Sequence, residues 1–258
     1  MTALRTAEIG TTSIPSLASL SIAPLPTVPL LVVAPHPDDE TIGCGGLIHM
    51  MTRAGGPVTV LIVSDGTASH EVNGLARIRA QECRRALGHL GVGDPRFGGL
   101  PDGSLSERLH DVMGVIDVAV DVVCRTSGPS GQSGQSALGD GSDGDAYAKC
   151  WGHGRAVLLG PAHADGHPDH DAVAVACDAI AAERGLTRRS YGIWMWTRSD
   201  TMSALDGFAW RVPLDDDARE AKRAALDEYV SQTTTMFGRR IVTEQLTEWA
   251  RDRNEVVW

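Results

Sequence analysis

An α/β architecture is predicted here, with a Rossmann-like, mostly parallel sheet, helices on both faces and the active site at the carboxyl ends of the strands. Three observations carry this reading. Two unbroken apolar runs, Leu30–Ala34 (LLVVA) and Val58–Ser64 (VTVLIVS), read as buried strands covered on both faces. Helix-period segments lie between these runs and a further apolar run, AVLLG at 156–160. Clusters of histidine and carboxylate follow the first and the last of these runs, at the strand ends where open α/β sheets bind ligands.

Residues 1–29 read as an irregular arm, rich in Ser, Thr and Pro and with the single arginine Arg5. It lacks a compact basic start and a proline-free apolar stretch, so it does not read as a signal peptide. The arm is expected to be partly disordered, or laid over a neighbouring subunit of a homo-oligomer. Residues 30–258 read as one domain. The first strand leads into His36, Pro37, Asp38 and Asp39, then Thr41, Ile42, Gly43, Gly45 and Gly46. The glycines read as a tight turn beneath the site, with a helix over 47–53. After Val58–Ser64 comes Asp65-Gly66-Thr67, on the same sheet edge as His36; Asp65 reads better as a turn aspartate than as a site residue. His70 reads as an exposed loop histidine.

An amphipathic helix over 75–90 stops at Gly91, a suitable C-cap. Arg79 and Glu82 stand three residues apart on it, the spacing of a surface ion pair. Leu100-Pro101-Asp102-Gly103 is a turn, followed by a helix over 105–124. The stretch from about 126 to 148 contains TSGPSGQSGQSALGDGSDGD, too poor in large apolar residues to offset its chain entropy, and reads as a flexible insertion. The strand at 156–160 delivers His163, Asp165, His167, Asp169 and His170, and a helix follows over 172–184. His163 reads as an exposed loop residue. YGIWMW at 191–196 reads as a strand with Trp194 and Trp196 on one face, either as core or as an aromatic wall for a sugar. A strand over 208–213, one amphipathic helix over 215–232 and a VVW terminus apolar enough to dock on the body or on a partner complete the chain.

The net charge is −10 and no Lys/Arg cluster stands out, which argues against a nucleic-acid binder. No run of about 18 apolar residues exists, so no membrane span is expected. The five cysteines are odd in number and form no CxxC pair, which points to free thiols in a reducing cytoplasm.

The residue types carry the chemistry. His and Asp are ligands for a borderline metal such as zinc. Neighbouring side chains on an extended segment point opposite ways, so Asp38 and Asp39 should do different jobs. Two strands of one parallel sheet would bring both clusters to the same edge. Three ligands and an open position make a catalytic zinc site.

APHPDDE, the Gly-rich turn after it and the distal HPDH together resemble the PIG-L/LmbE-like family of zinc N-deacetylases, over roughly residues 30–175. Those enzymes remove acetyl groups from N-acetylglucosamine-type amino sugars. The resemblance implies that His36, Asp39 and His170 hold Zn2+, with another divalent metal also compatible with these ligand types. It implies Asp38 as general base and His167 as the group that stabilises the tetrahedral oxyanion. Arg79 and Asp102 would contact substrate, and Asp169 would orient a histidine. Lys222, Ser231 and Gln232 echo the family's supporting lid. The implied activity is metal-dependent removal of an acetyl or other acyl group from an N-acylated amino sugar or sugar conjugate. The alternatives are an amidase acting on a non-sugar or thiol-conjugate amide, and a metal-binding accessory protein without turnover. Asp38 weighs against the last, since a pure metal binder needs no base. A dinucleotide role is weak, because GCGG follows the charged cluster instead of opening directly after the strand.

Overall fold

The computed structural model describes residues 20–126, 142–197, 205 and 209–258. Its centre is a five-stranded, all-parallel sheet of β2 (Leu30–Ala34), β3 (Val58–Ser64), β4 (Arg96–Leu100), β5 (Val157–Pro161) and β6 (Thr187–Tyr191), in the order β4-β3-β2-β5-β6. The chain winds from β2 to one edge and then restarts at β5 on the other side. The direction therefore reverses between β2 and β5, and a crevice opens at their carboxyl ends. The predicted architecture is the observed one.

Side chains alternate across a strand, so β2 feeds two cores. Leu30, Val32 and Ala34 pack with α1 (Asp39–Arg53), α2 (Leu75–His89) and α6 (Asp216–Asp227). Leu31 and Val33 pack with α3 (Leu109–Thr126) and α5 (Pro168–Arg184). All five β2 residues are buried, which explains the unbroken apolar run. A second sheet of three strands, β1 (Ser21–Ile22), β7 (Trp210–Val212) and β8 (Glu255–Val257), lies beside the first. The remaining helices are α4 (Ser142–Trp151), the short α7 (Val230–Thr233) and α8 (Glu244–Asp252).

Several elements differ from the expected ones. The helix expected over 47–53 begins at Asp39 and runs through the glycines, with a kink at Cys44 (φ −149°, ψ 24°). The glycines serve close packing. A Cβ on Gly43 would lie 2.3 Å from the Tyr191 ring, and one on Gly46 would lie 2.5 Å from Leu214. The kink interrupts the helical hydrogen bonds, and two charged side chains from the C-terminal part take their place. Glu255 accepts from the N–H groups of Gly46 (2.7 Å) and Leu47 (2.8 Å). Lys222 donates to the Ile42 carbonyl (2.9 Å) and pairs with Glu255 at 2.7 Å. The C-terminal strand thus clamps the helix that carries the first motif, and the apolar terminus does dock on the body.

The helix expected over 172–184 begins at Pro168, a residue suited to a first turn. The strand expected at 191–196 is Thr187–Tyr191, and Trp194–Thr197 is a 3-10 turn. Trp196 is buried and stacks on Trp249 at 5.1 Å, so it is core and forms no sugar wall. The helix expected over 215–232 stops at Asp227 and restarts at Val230, because Tyr229 turns inward (φ −82°, ψ 51°) to reach the first motif. A 3-10 turn, Leu105–Arg108, precedes α3.

The end of the presumed arm is ordered. Ser21–Ile22 pairs with β7, and Pro24 accepts the indole N–H of Trp151 at 2.5 Å. Within the expected insertion, residues 142–148 are helical as part of α4. Residues 1–19 and 127–141 lie outside the described residues. No helix among the described residues is long and apolar enough to cross a membrane.

Candidate active site

The first motif leaves the end of β2. His36 is buried, and its backbone N–H donates to Asp39 Oδ2 at 3.0 Å. Its ring Nδ1 lies 3.1 Å from the same oxygen. Asp39 is the first residue of α1, where a carboxylate suits the helix N-terminus. Asp38 lies between them with a φ of 140°, a conformation L-residues rarely adopt. Its N–H donates to Glu40 Oε2 at 3.1 Å, and its carbonyl accepts from Thr41 and Ile42.

The second motif leaves β5 and enters α5. His167 caps that helix, its Nδ1 accepting the backbone N–H of Asp169 at 3.2 Å. His170 follows in the first turn and is fully buried. Its Nδ1 lies 2.8 Å from Asp165 Oδ2, and its Nε2 lies 3.2 Å from Asp39 Oδ2. That Nε2 has no hydrogen-bond partner among the described residues. The rings of His36, His167 and His170 sit with centroids 4.9–5.4 Å apart. The structure thus brings both motifs together at the crevice.

His36, Asp39 and His170 are all buried, and each offers a ligand atom within 4.8 Å of the others. Ligand atoms on a tetrahedral zinc with bonds of about 2.0–2.1 Å stand roughly 3.3 Å apart, close to the 3.1 Å and 3.2 Å that separate Asp39 Oδ2 from His36 Nδ1 and His170 Nε2. The donor set, two imidazoles and a carboxylate, together with the unpartnered His170 Nε2, fits a divalent metal. His36, His167 and Asp169 form a second such group. It fits less well, since Asp169 already accepts from Gly103 N–H (2.7 Å) and Leu105 N–H (3.0 Å).

The remaining expected residues surround this group. Asp102 approaches His36 Nε2 at 2.9 Å and accepts the Ala68 N–H at 3.0 Å, so it supports His36 more directly than it faces a ligand. Asp169 lies 3.3 Å from the same Nε2, next to a histidine as expected. Arg79 and Glu82 are both buried and do not form the surface pair their spacing suggested. Arg79 donates to the Gly66 carbonyl and to Gln232, and stands 4.0 Å from both Asp38 and Asp102. Glu82 accepts the Ser231 N–H at 2.9 Å. Asp65 is a turn residue, accepting from Thr67 and Asp102 N–H groups. His70 is half-buried, with Nε2 3.0 Å from the Arg239 carbonyl. His163 is exposed and pairs with Asp178.

Charge is concentrated here. Burial acts to raise the Asp39 pKa, but His170 and His36 hold the carboxyl far below its usual range. Burial acts to lower the His170 pKa, but Asp39 and Asp165 bring it up to about 9. His36 is likewise raised, Asp102, Asp169 and Asp39 outweighing burial. The carboxylates thus favour positive charge on both imidazoles, the charge a divalent cation would replace. Burial and the neighbouring Asp39 push Asp38 well above the usual carboxylate range. Burial, with His36 and His170 nearby, lowers His167 and favours its neutral form.

Two residues gained no role from the sequence. Glu40 is fully buried and accepts from Asp38 N–H, Thr41 Oγ1 and Tyr229 OH. Asp165 is fully buried against His170. In the sequence Glu40 closes the APHPDDE motif and Asp165 stands two residues before HPDH, with nothing local to show what either touches.

The family model for GlcNAc-PI de-N-acetylase, PIG-L, matches residues 31–181. A 1D-myo-inositol 2-acetamido-2-deoxy-alpha-D-glucopyranoside deacetylase from Nocardia farcinica is 30% identical over 256 residues, covering 80% of each chain. A diacetylchitobiose deacetylase from Thermococcus kodakarensis is 43% identical over 68 residues; the match spans 24% of this chain and only 26% of that enzyme's length. In fold, the chain is similar to the zinc-inhibited form of a teicoplanin deacetylase, with a TM-score of 0.62 at 17% identity over 90% of this chain and 97% of that one. With the family model covering more than half of the chain and both motifs joined at one crevice, this protein belongs to the PIG-L family of deacetylases.

Proposed function

We propose that this protein is a zinc-dependent amide hydrolase that removes the acetyl group from an N-acetylated amino-sugar conjugate. The observation that carries this reading is the convergence of buried His36, Asp39 and His170 with two further groups, Asp38 and His167, suited to proton transfer and oxyanion binding. A bound divalent ion supplies Lewis acidity and lowers the pKa of a water molecule toward neutrality.

The protein's own groups do the rest. Asp38 takes the proton from the attacking water and passes it to the leaving amine. Arg79, 4.0 Å away, favours its charged form after it gives up the proton. His167 donates to the developing oxyanion through Nε2, because its Nδ1 is already occupied as an acceptor at the helix cap. Burial keeps His167 neutral, so it offers an N–H without net charge. Glu40 and the strained backbone of Asp38 fix the base in place. The amino-sugar assignment is supported by the named activities of the Nocardia and Thermococcus relatives. The free cysteines suit a reducing cytoplasm, and the acidic net charge suits a small-molecule substrate over a nucleic acid.

A substrate panel tests this. Acetate release from N-acetylglucosamine conjugates should exceed release from non-sugar acetamides by at least about tenfold, the size of one lost polar contact. Equal or faster hydrolysis of the non-sugar amides would point to the second reading, an amidase on another scaffold.

A further inference from the structure

We infer that Asp165 is a positioning residue for His170, and that it fastens this ligand to the turn Trp194–Thr197. The inference rests on the metal reading of His36, Asp39 and His170 given above. Asp165 has 0% exposure, so its carboxylate must find all its partners within the protein. Oδ1 accepts from Ile193 N–H (2.8 Å) and Met195 N–H (3.2 Å). Oδ2 accepts from Trp194 N–H (3.1 Å) and lies 2.8 Å from His170 Nδ1. A carboxylate has about four acceptor positions, and all four are used.

The consequence is a fixed tautomer for a metal-bound ring. Three consecutive backbone donors fix the carboxylate beside Nδ1, so a His170 that gives its Nε2 to a metal keeps its proton on Nδ1, facing Asp165. The Nε2 lone pair is then directed toward Asp39, where no protein donor meets it. Asp165 lies five residues from His170, while its backbone partners belong to the loop after β6. The second motif therefore depends on a distant turn whose aromatic residues are otherwise ordinary core.

A turn-stabilising aspartate and a positioning residue make different predictions for Asp165→Asn. The amide oxygen can still accept from the backbone, but the amide NH2 then faces Nδ1. That arrangement favours the tautomer with the proton on Nε2, which cannot ligate. Competition of purified protein against a zinc-binding dye should give a 10–100-fold weaker zinc affinity for Asp165→Asn. The exposed control Asp178→Asn, beside His163, should match the parent protein. Saturating zinc should restore most of the turnover. Parent-like zinc affinity in folded Asp165→Asn would overturn the inference.

A measurement on the unsubstituted protein stands even if the variant does not fold. Nitrogen NMR of the zinc-loaded protein should place the His170 proton on Nδ1 and the metal on Nε2. The reverse assignment would also overturn the inference. If the unsubstituted protein takes up no zinc at all, the metal reading fails first and this inference falls with it.

Discussion

The backbone N–H of Asp38 donates to the carboxylate of Glu40 at 3.1 Å, while Asp38 itself sits at a φ of 140°. A strained residue of this kind costs about 1–3 kcal/mol and persists only where its surroundings hold it. Glu40 is held in turn by Thr41 Oγ1 at 2.7 Å and by the hydroxyl of Tyr229. The break between α6 and α7 therefore serves the first motif directly: it lets Tyr229 reach beneath it. Glu40→Ala should lower acetate release by about 100-fold, the effect of misplacing a reacting group by roughly 1 Å, with zinc content unchanged. Glu40→Gln, which can still accept from Asp38, should lose less. Equal turnover in Glu40→Ala and the parent would remove Glu40 from the account.

Asp38→Asn separates the base from the metal. It should bind zinc stoichiometrically and lose about 10²–10⁴-fold in turnover, the usual worth of a positioned general base. His36→Ala should instead lose the metal. Zinc analysis alongside steady-state rates checks both, and full activity in Asp38→Asn would show that another group takes the proton.

The buried pair of Lys222 and Glu255 supports the kink in α1. Lys222→Met leaves Glu255 charged and unpaired and removes the donor from the Ile42 carbonyl. It should destabilise the protein by about 3–5 kcal/mol, read from urea unfolding. Adding Glu255→Gln should cost less than the sum of the two single changes, since the charge left behind is then removed. Additive losses would mean that the two side chains act independently.

The thiols provide a check on packing. Burial pushes the Cys150 and Cys177 thiols up to about 12. At pH 8 each is then thiolate to only about one part in 10⁴. Iodoacetamide should modify half-buried Cys124 first and leave Cys150 and Cys177 unmodified until the protein unfolds. Fast alkylation of Cys177 in the native state would contradict the packing of α5 on the sheet.

The strands and the two His/Asp motifs were legible because their signals are local. An apolar run bounded by prolines marks β2, HPDD stands just past its end, and HPDH follows the run at 156–160 after a short loop. The elements that were missed owe their form to distant partners. β6 reads TRRSY, with no apolar alternation. It pairs with β5 on one side, and Ser190 exchanges backbone hydrogen bonds with Trp258 on the other. The start of α1 was hidden by glycines whose purpose is visible only once Tyr191 and Leu214 lie against them. Arg79 and Glu82 have the spacing of a local pair, yet their partners are Gln232 and Ser231, about 150 residues away. Asp165 and Glu40 follow the same rule: position in or beside a motif was readable, contact with a remote partner was not.

The central claim is that His36, Asp39 and His170 hold a zinc ion on which amide hydrolysis depends. The most direct measurement is elemental metal analysis of the purified protein paired with acetate release from an N-acetylglucosamine conjugate, before and after chelation. One equivalent of zinc is expected, with activity lost on chelation, recovered on adding zinc back, and absent together with the metal in His170→Ala. Undiminished acetate release from a protein stripped of metal would contradict the account.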